Sequence, residues 1–130
     1  MLTPDDIRAA LRDCYDPDIP LNIVDLGLID HIEVARDDQA PGANIPGVPT
    51  RHHIAITLTP TTQDEIKTAQ LTAQIQNRLA GLESISHTTI TLTETPLWTP
   101  QRISHAGRRI LNLDNPFSIL NNPVGKSNAR

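Results

Sequence analysis

Residues 52–93, HHIAITLTPTTQDEIKTAQLTAQIQNRLAGLESISHTTITLT, decide the fold. The first part alternates: Ile54, Ile56 and Leu58 point one way, and Ala55, Thr57 and Thr59 the other, which predicts a strand over 52–59. Thr62-Gln63-Asp64-Glu65 has capping-box spacing, with Thr62 as the cap and Glu65 reaching back to its amide. The helix that follows carries Leu71, Ile75, Leu79 and Leu82 on one stripe, with Ile66, Ala69 and Ala73 beside it, and Gly81 ends it. A third alternation, with Ile90 and Leu92 inward and threonines outward, predicts a strand over 85–93. A strand, a crossover helix and a second strand in one sheet make a parallel unit.

Working outward toward the amino terminus, residues 37–50, DDQAPGANIPGVPT, read as a loop, long enough to lie over a site. Before it, residues 28–36 read as a strand with Leu28, Ile32 and Val34 on one face and His31 and Glu33 on the other; Asp30 breaks the apolar face. This strand pairs most simply with the next as an antiparallel hairpin. Residues 16–27 form a connector with an apolar patch at Ile23-Val24 and Leu26, closed by Gly27. The chain opens with a helix: Thr3 caps, Pro4 suits the first position, Asp5 and Asp6 favour the positive end of the dipole, and Ile7, Ala10, Leu11 and Cys14 share a face. Asp16-Pro17 and Ile19-Pro20 stop it near Tyr15.

On the other side, Thr99 and Pro100 start a short helix with Ile103, Ala106 and Ile110 as its stripe, and Arg108-Arg109 form its cationic end. From Asn112 onward an Asn-rich segment with two prolines predicts a tail. The expected architecture is therefore α+β, in the order α-β-β-α-β-α. It is a three-stranded mixed sheet with helices packed on one face, one domain over 1–113 and a tail over 114–130.

Composition narrows the function. The chain of 130 residues has net charge −4 and no basic stripe, and its aromatics are Tyr15, Trp98 and Phe117, so nucleic-acid binding is not expected. One cysteine excludes an intrachain disulfide and a Cys-rich zinc or iron–sulfur site built by one chain. No apolar run is long enough for a membrane span, and the amino terminus is charged where a leader is apolar, so the expected location is the cytoplasm. GxGxxG, GxxxxGK[ST], HExxH and GxSxG are all missing.

Residues 14–29, Cys14-Tyr15-Asp16-Pro17-Asp18-Ile19-Pro20-Leu21-Asn22-Ile23-Val24-Asp25-Leu26-Gly27-Leu28-Ile29, closely resemble the opening motif of the MIP18/DUF59 family, the SufT-like iron–sulfur cluster assembly factors. Thr57-Leu58-Thr59 resembles the family's T-L-T, and Pro96-Leu97-Trp98-Thr99-Pro100 its D-P-P-W-T/N-P. The resemblance spans roughly residues 3–113. It implies an α/β fold that commonly self-associates, so a homodimer. It also implies a non-enzymatic role in maturing iron–sulfur proteins, with cluster carriers or recipient proteins as partners and an iron–sulfur cluster or iron as cofactor. Relatives include a domain fused to cluster-carrier ATPases and a subunit type supporting aromatic-acid oxygenases, and the latter implies an alternative, an adaptor or assembly subunit of a multicomponent aromatic-acid (phenylacetyl-CoA type) oxygenase. The residues themselves leave open a carboxylate-metal-dependent enzyme. One departure stands out. After T-L-T the family usually places a cysteine at the start of the next helix, where amides and the dipole stabilise a thiolate. Gln63 stands there in this chain, followed by Asp64 and Glu65.

Each candidate residue has a second, structural reading. Cys14 is either a metal ligand or a buried small apolar residue. Asp16, Asp18 and Asp25 either line a polar cleft that binds a cofactor or partner, or accept backbone N–H bonds in turns. Thr57, Thr59, Thr61 and Thr62, with Gln63, either ring a pocket at the helix start or reflect strand propensity and capping. The amides of that helix start could also receive an anion. Trp98 either covers the pocket as a partner anchor or plugs the sheet edge. Neighbouring strand residues His52 and His53 point to opposite faces, and His31, His87 and His105 are scattered, so a histidine metal cluster is not expected.

Overall fold

The computed structural model describes residues 2–113. The predicted tail over 114–130 lies outside the described residues. Helix α1 (Pro4–Leu11) leads through the connector to β1 (Ile29–Arg36); β2 (His52–Leu58), α2 (Glu65–Ala80), β3 (Ile85–Leu92) and α3 (His105–Ile110) follow, with a 3₁₀ turn over Pro100–Arg102 before α3. The sheet order is β1-β2-β3. β1 pairs antiparallel with β2, and β2 pairs parallel with β3 across the α2 crossover, as the sequence predicts.

The core lies between the helices and one sheet face. Ile54, Ile56 and Leu58 of β2 meet Leu71, Ile75 and Leu79 of α2 and Ile7, Leu11 and Cys14, all fully or almost fully buried. The connector is part of this core: Leu21, Ile23 and Leu26 are as deeply buried as the strand residues. Each such side chain contributes roughly 2 kcal/mol of transfer free energy, so burial anchors the connector as firmly as any strand. His31, Glu33, Thr89 and Thr91 lie on the opposite, uncovered face.

Several boundaries move, each for a local reason. Helix α1 ends at Leu11; Asp13 and Cys14 continue in tighter turns to the carbonyls of Ala10 and Leu11, which keeps Cys14 over the core. Asp30 is the extra residue of a β-bulge, since Ile29 pairs with Leu58 but His31 with Thr57. Thr59, expected to face outward, is 1% exposed, because its hydroxyl turns in to the Asp30 carboxylate. Helix α2 is capped by Asp64, not Thr62: the Asp64 carboxylate accepts from the Lys67 amide, while Thr62 accepts from the Asp64 amide. Ile66 (71% exposed), Ala69 and Ala73 face solvent, so the packed stripe is narrower than predicted. Leu92, expected inward, is largely exposed at the end of β3.

The predicted last helix is two pieces. Extended backbone at Ile103 separates the 3₁₀ turn from α3, which Ser104 caps through the Gly107 amide. The break brings Ser104 to Asp25, and it leaves Ala106 and Ile110 exposed while Gly107 is buried. Asn112 and Leu113 are not tail. Asn112 (φ 62°) and the Leu113 amide on the Arg108 carbonyl close α3 as a Schellman cap. The 37–50 loop joins Arg36 to His52, at the opposite end of the hairpin from Ile29 and Leu58, so it does not lie over the connector.

Candidate functional site

The connector is held by three polar networks. An isolated bridge between Tyr15 and Asn22 closes it into a loop. Within that loop Asp16 is buried. Its Oδ2 accepts the Asp18 and Ile19 amides, both at 2.9 Å, and its Oδ1 accepts the Thr61 hydroxyl at 2.7 Å. An aspartate before proline thus forms its own turn and ties it to the segment leading into α2.

The second network centres on Asp25, also buried. Its Oδ2 accepts from the Asn22 amide at 2.7 Å, and its Oδ1 from Arg12 at 3.0 Å and the Ser104 hydroxyl at 2.9 Å. The Asn22 side chain accepts the Asp25 amide in return. Burial raises the Asp25 pKa, but the bonds from Asn22, Ser104 and Arg12, with the Arg12 charge, outweigh it and hold the carboxyl below its usual range. Asp25 is therefore a fixed carboxylate that joins α1, the connector and α3.

The third network lies at the bulge. Asp30 accepts from Thr59 at 2.6 Å and pairs with Arg102. Nearby, Trp98 is half-buried against the core and donates its indole N–H to the Leu26 carbonyl at 2.7 Å. Gly27 has φ +76°, and a Cβ there would lie 2.2 Å from the Arg102 carbonyl oxygen.

The predicted site residues do not converge on one point. Asp16 meets Thr61, and Thr59 meets Asp30. Thr57 is half-buried in the centre of the uncovered sheet face, between His31 and Thr91. Thr62 turns to the Asp64 amide, and Gln63 is exposed immediately before the α2 cap. Asp18 is at the surface in a two-oxygen pair with Lys67 at 2.9 and 3.0 Å, and Asp18 raises the Lys67 pKa. Cys14 is fully buried and its thiol donates weakly to the Gln74 carbonyl at 3.9 Å; burial pushes its pKa up. Among the described residues no three His, Cys, Asp or Glu side chains gather as a metal-holding group.

Sequence reading missed Arg12, Asn22, Gln74, Arg102 and Ser104. Asn22 was legible, since an Asn three residues before an Asp forms such reciprocal turns. The others act across 13 to 79 residues of chain, and no local pattern marks them. Gln74 is the clearest case. Its amide accepts from the Tyr15 N–H and donates to the Tyr15 carbonyl, both at 2.9 Å, standing in for a strand neighbour.

Comparison with known proteins agrees with this placement. A family model described as iron–sulfur cluster assembly protein matches residues 4–40, which contain α1, the connector and β1. An Fe-S protein maturation auxiliary factor from Porphyromonas gingivalis (strain ATCC BAA-308 / W83) is 26% identical over 102 residues, covering 78% of this chain and 84% of that protein. The fold is shared with a DUF59 domain of unknown function from Bacillus anthracis (TM-score 0.64, 20% identity, 84% of this chain and 91% of that one). It is shared too with a conserved hypothetical protein from Thermotoga maritima (TM-score 0.62, 22% identity, 85% and 94%). The chain is thus similar to iron–sulfur cluster assembly proteins over α1, the connector and β1, and it shares the fold of the DUF59 structures.

Proposed function

We propose that this protein matures iron–sulfur proteins in the cytoplasm by protein contact, without a catalytic cycle of its own. The cluster or its iron is cargo, held by carrier and recipient partners. The observation that carries this reading is the state of the connector. Its buried carboxylates, Asp16 and Asp25, are engaged inside the fold, while Tyr15 (51% exposed) and the Asp18–Lys67 pair remain outside. Tyr15 is pinned by Gln74 and Asp18 by Lys67, seven residues apart on one face of α2, or about 10 Å along its axis. The connector edge and that helix face form a firm strip with an aromatic at one end and an ion pair at the other, a composition suited to docking a protein.

The helix-start position supports the same reading. Gln63 is exposed there beside Asp64 and Glu65, and an amide cannot become the thiolate that would ligate a cluster. The test is to delete the gene and assay several cluster-dependent enzymes under iron limitation or oxidative stress. Their activities fall if the reading holds; unchanged activities across the set contradict it.

A further inference from the structure

Arg51 lies at the other end of β2 from the connector, about 20 Å along the strand. Two clefts of about 290 Å³ each share Arg51 and Ala80 as walls. One is lined by Gln76, Ser86, His87 and Thr88; the other is of mixed polarity, with Val48 and Leu82 on one side and Glu83 beside them.

Arg51 is an unusual cation for this molecule. Arg8, Arg12, Arg36, Lys67, Arg78 and Arg102 each pair with a carboxylate. Among the described residues Arg51, like Arg108 and Arg109, forms no ion pair, and of these three only Arg51 lines either cleft. One terminal nitrogen donates to the Ile85 carbonyl at 2.9 Å, and its buried Nε has no partner. That nitrogen has no accessible surface of its own, but Arg51 is the one arginine or lysine in the wall of either cleft. The nearby carboxylate of Asp37 is already engaged. It accepts from the Ser86 hydroxyl and the Gln39 amide and faces His87 at 3.7 Å, and these groups, with the His53 charge, hold its pKa below the usual range.

We propose that this double cleft binds a small molecule with one oxyanion head, carboxylate or phosphate, on Arg51 and a short apolar body against Val48 and Leu82. The volumes sit at the lower end of ligand pockets, which limits the ligand to metabolite size. A guanidinium suits either head group by paired N–H donation. The inference is independent of the maturation role, which rests on the connector.

The test is amide NMR of the full chain at constant ionic strength, titrated with inorganic phosphate, acetate or butyrate against a chloride control. Saturable shifts are expected at Arg51 and residues 85–88, with butyrate also moving Val48 and Leu82 and binding more tightly than acetate. Which of phosphate and the carboxylates saturates first assigns the head group. Arg51→Gln weakens binding about tenfold. Ala80→Leu, on the exposed end of α2, blocks the shared wall without relying on the Arg51 substitution to fold. Non-saturating shifts, shifts equal to those with chloride, shifts centred on Arg108 and Arg109, or binding unchanged in both variants overturn the proposal.

Discussion

Asp25 shows how one side chain can decide the shape of a motif. It collects the end of α1, the connector and the start of α3 through Arg12, Asn22 and Ser104. Asp25→Asn keeps one acceptor oxygen but sets an NH2 group against a remaining donor and removes the charge that Arg12 pairs with, so it costs about 2 kcal/mol of stability at neutral pH, read from urea unfolding. Because its folded pKa is depressed, its contribution is fully present above the unfolded value of roughly 4 and is lost as pH falls through the folded value. The gap between the parent and Asp25→Asn therefore narrows below about pH 4. The residual acid sensitivity of the variant comes in part from Asp37, whose pKa is lowered by Ser86 and which is unaffected by the substitution. A gap that stays constant with pH would show that Asp25 is not ionised and bonded as described. From sequence alone Asp25 read equally as a cleft residue or a turn residue. The partner that settles its surroundings, Ser104, is 79 residues away.

At the scale of elements, local chemistry was read well where it was local. The Thr3 cap of α1 forms as a full capping box with Asp6, and the alternation of β2 is reproduced residue by residue. Reading failed where two local rules competed or a distant group intervened. Thr62 and Asp64 are both good caps, and the carboxylate, whose charge suits the dipole, takes the position. Asp64→Ala accordingly lowers the melting temperature by the equivalent of about 1 kcal/mol, and Thr62→Ala by much less; the reverse order would restore the Thr62 capping box. Gly27 was legible as a terminator but not as a contact. Its positive φ and the Arg102 backbone leave no room for a side chain, so Gly27→Ala destabilises by roughly 3 kcal/mol in a denaturant melt. A tolerated alanine would mean that the 3₁₀ turn does not press on the connector. The last helix differs from its periodicity for a related reason: the break at Ile103 brings Ser104 to Asp25, a tertiary contact that helical periodicity does not encode.

For the whole molecule, the order and pairing of elements follow from hydrophobic periods and one crossover, both visible in the sequence. The candidate site was visible as a string of residues but not as an arrangement. Its density of carboxylates suggested side chains facing a common cleft, whereas two of them turn inward to staple α1, α2 and α3 around the connector. What remains outward is the strip from Tyr15 to Asp18 along α2, and under the proposed function that strip, rather than the buried Cys14 thiol, is the docking surface. The most direct measurement is complementation of the gene deletion, assayed as cluster-enzyme activity under iron limitation, with each variant first shown to fold by circular dichroism. Asp18 is exposed and its ion pair adds little stability, so Tyr15→Ala combined with Asp18→Lys keeps the fold. This double variant is expected to leave activity unrestored, and Cys14→Ala to restore it. Restoration by the double variant together with failure of a folded Cys14→Ala would contradict the proposed function.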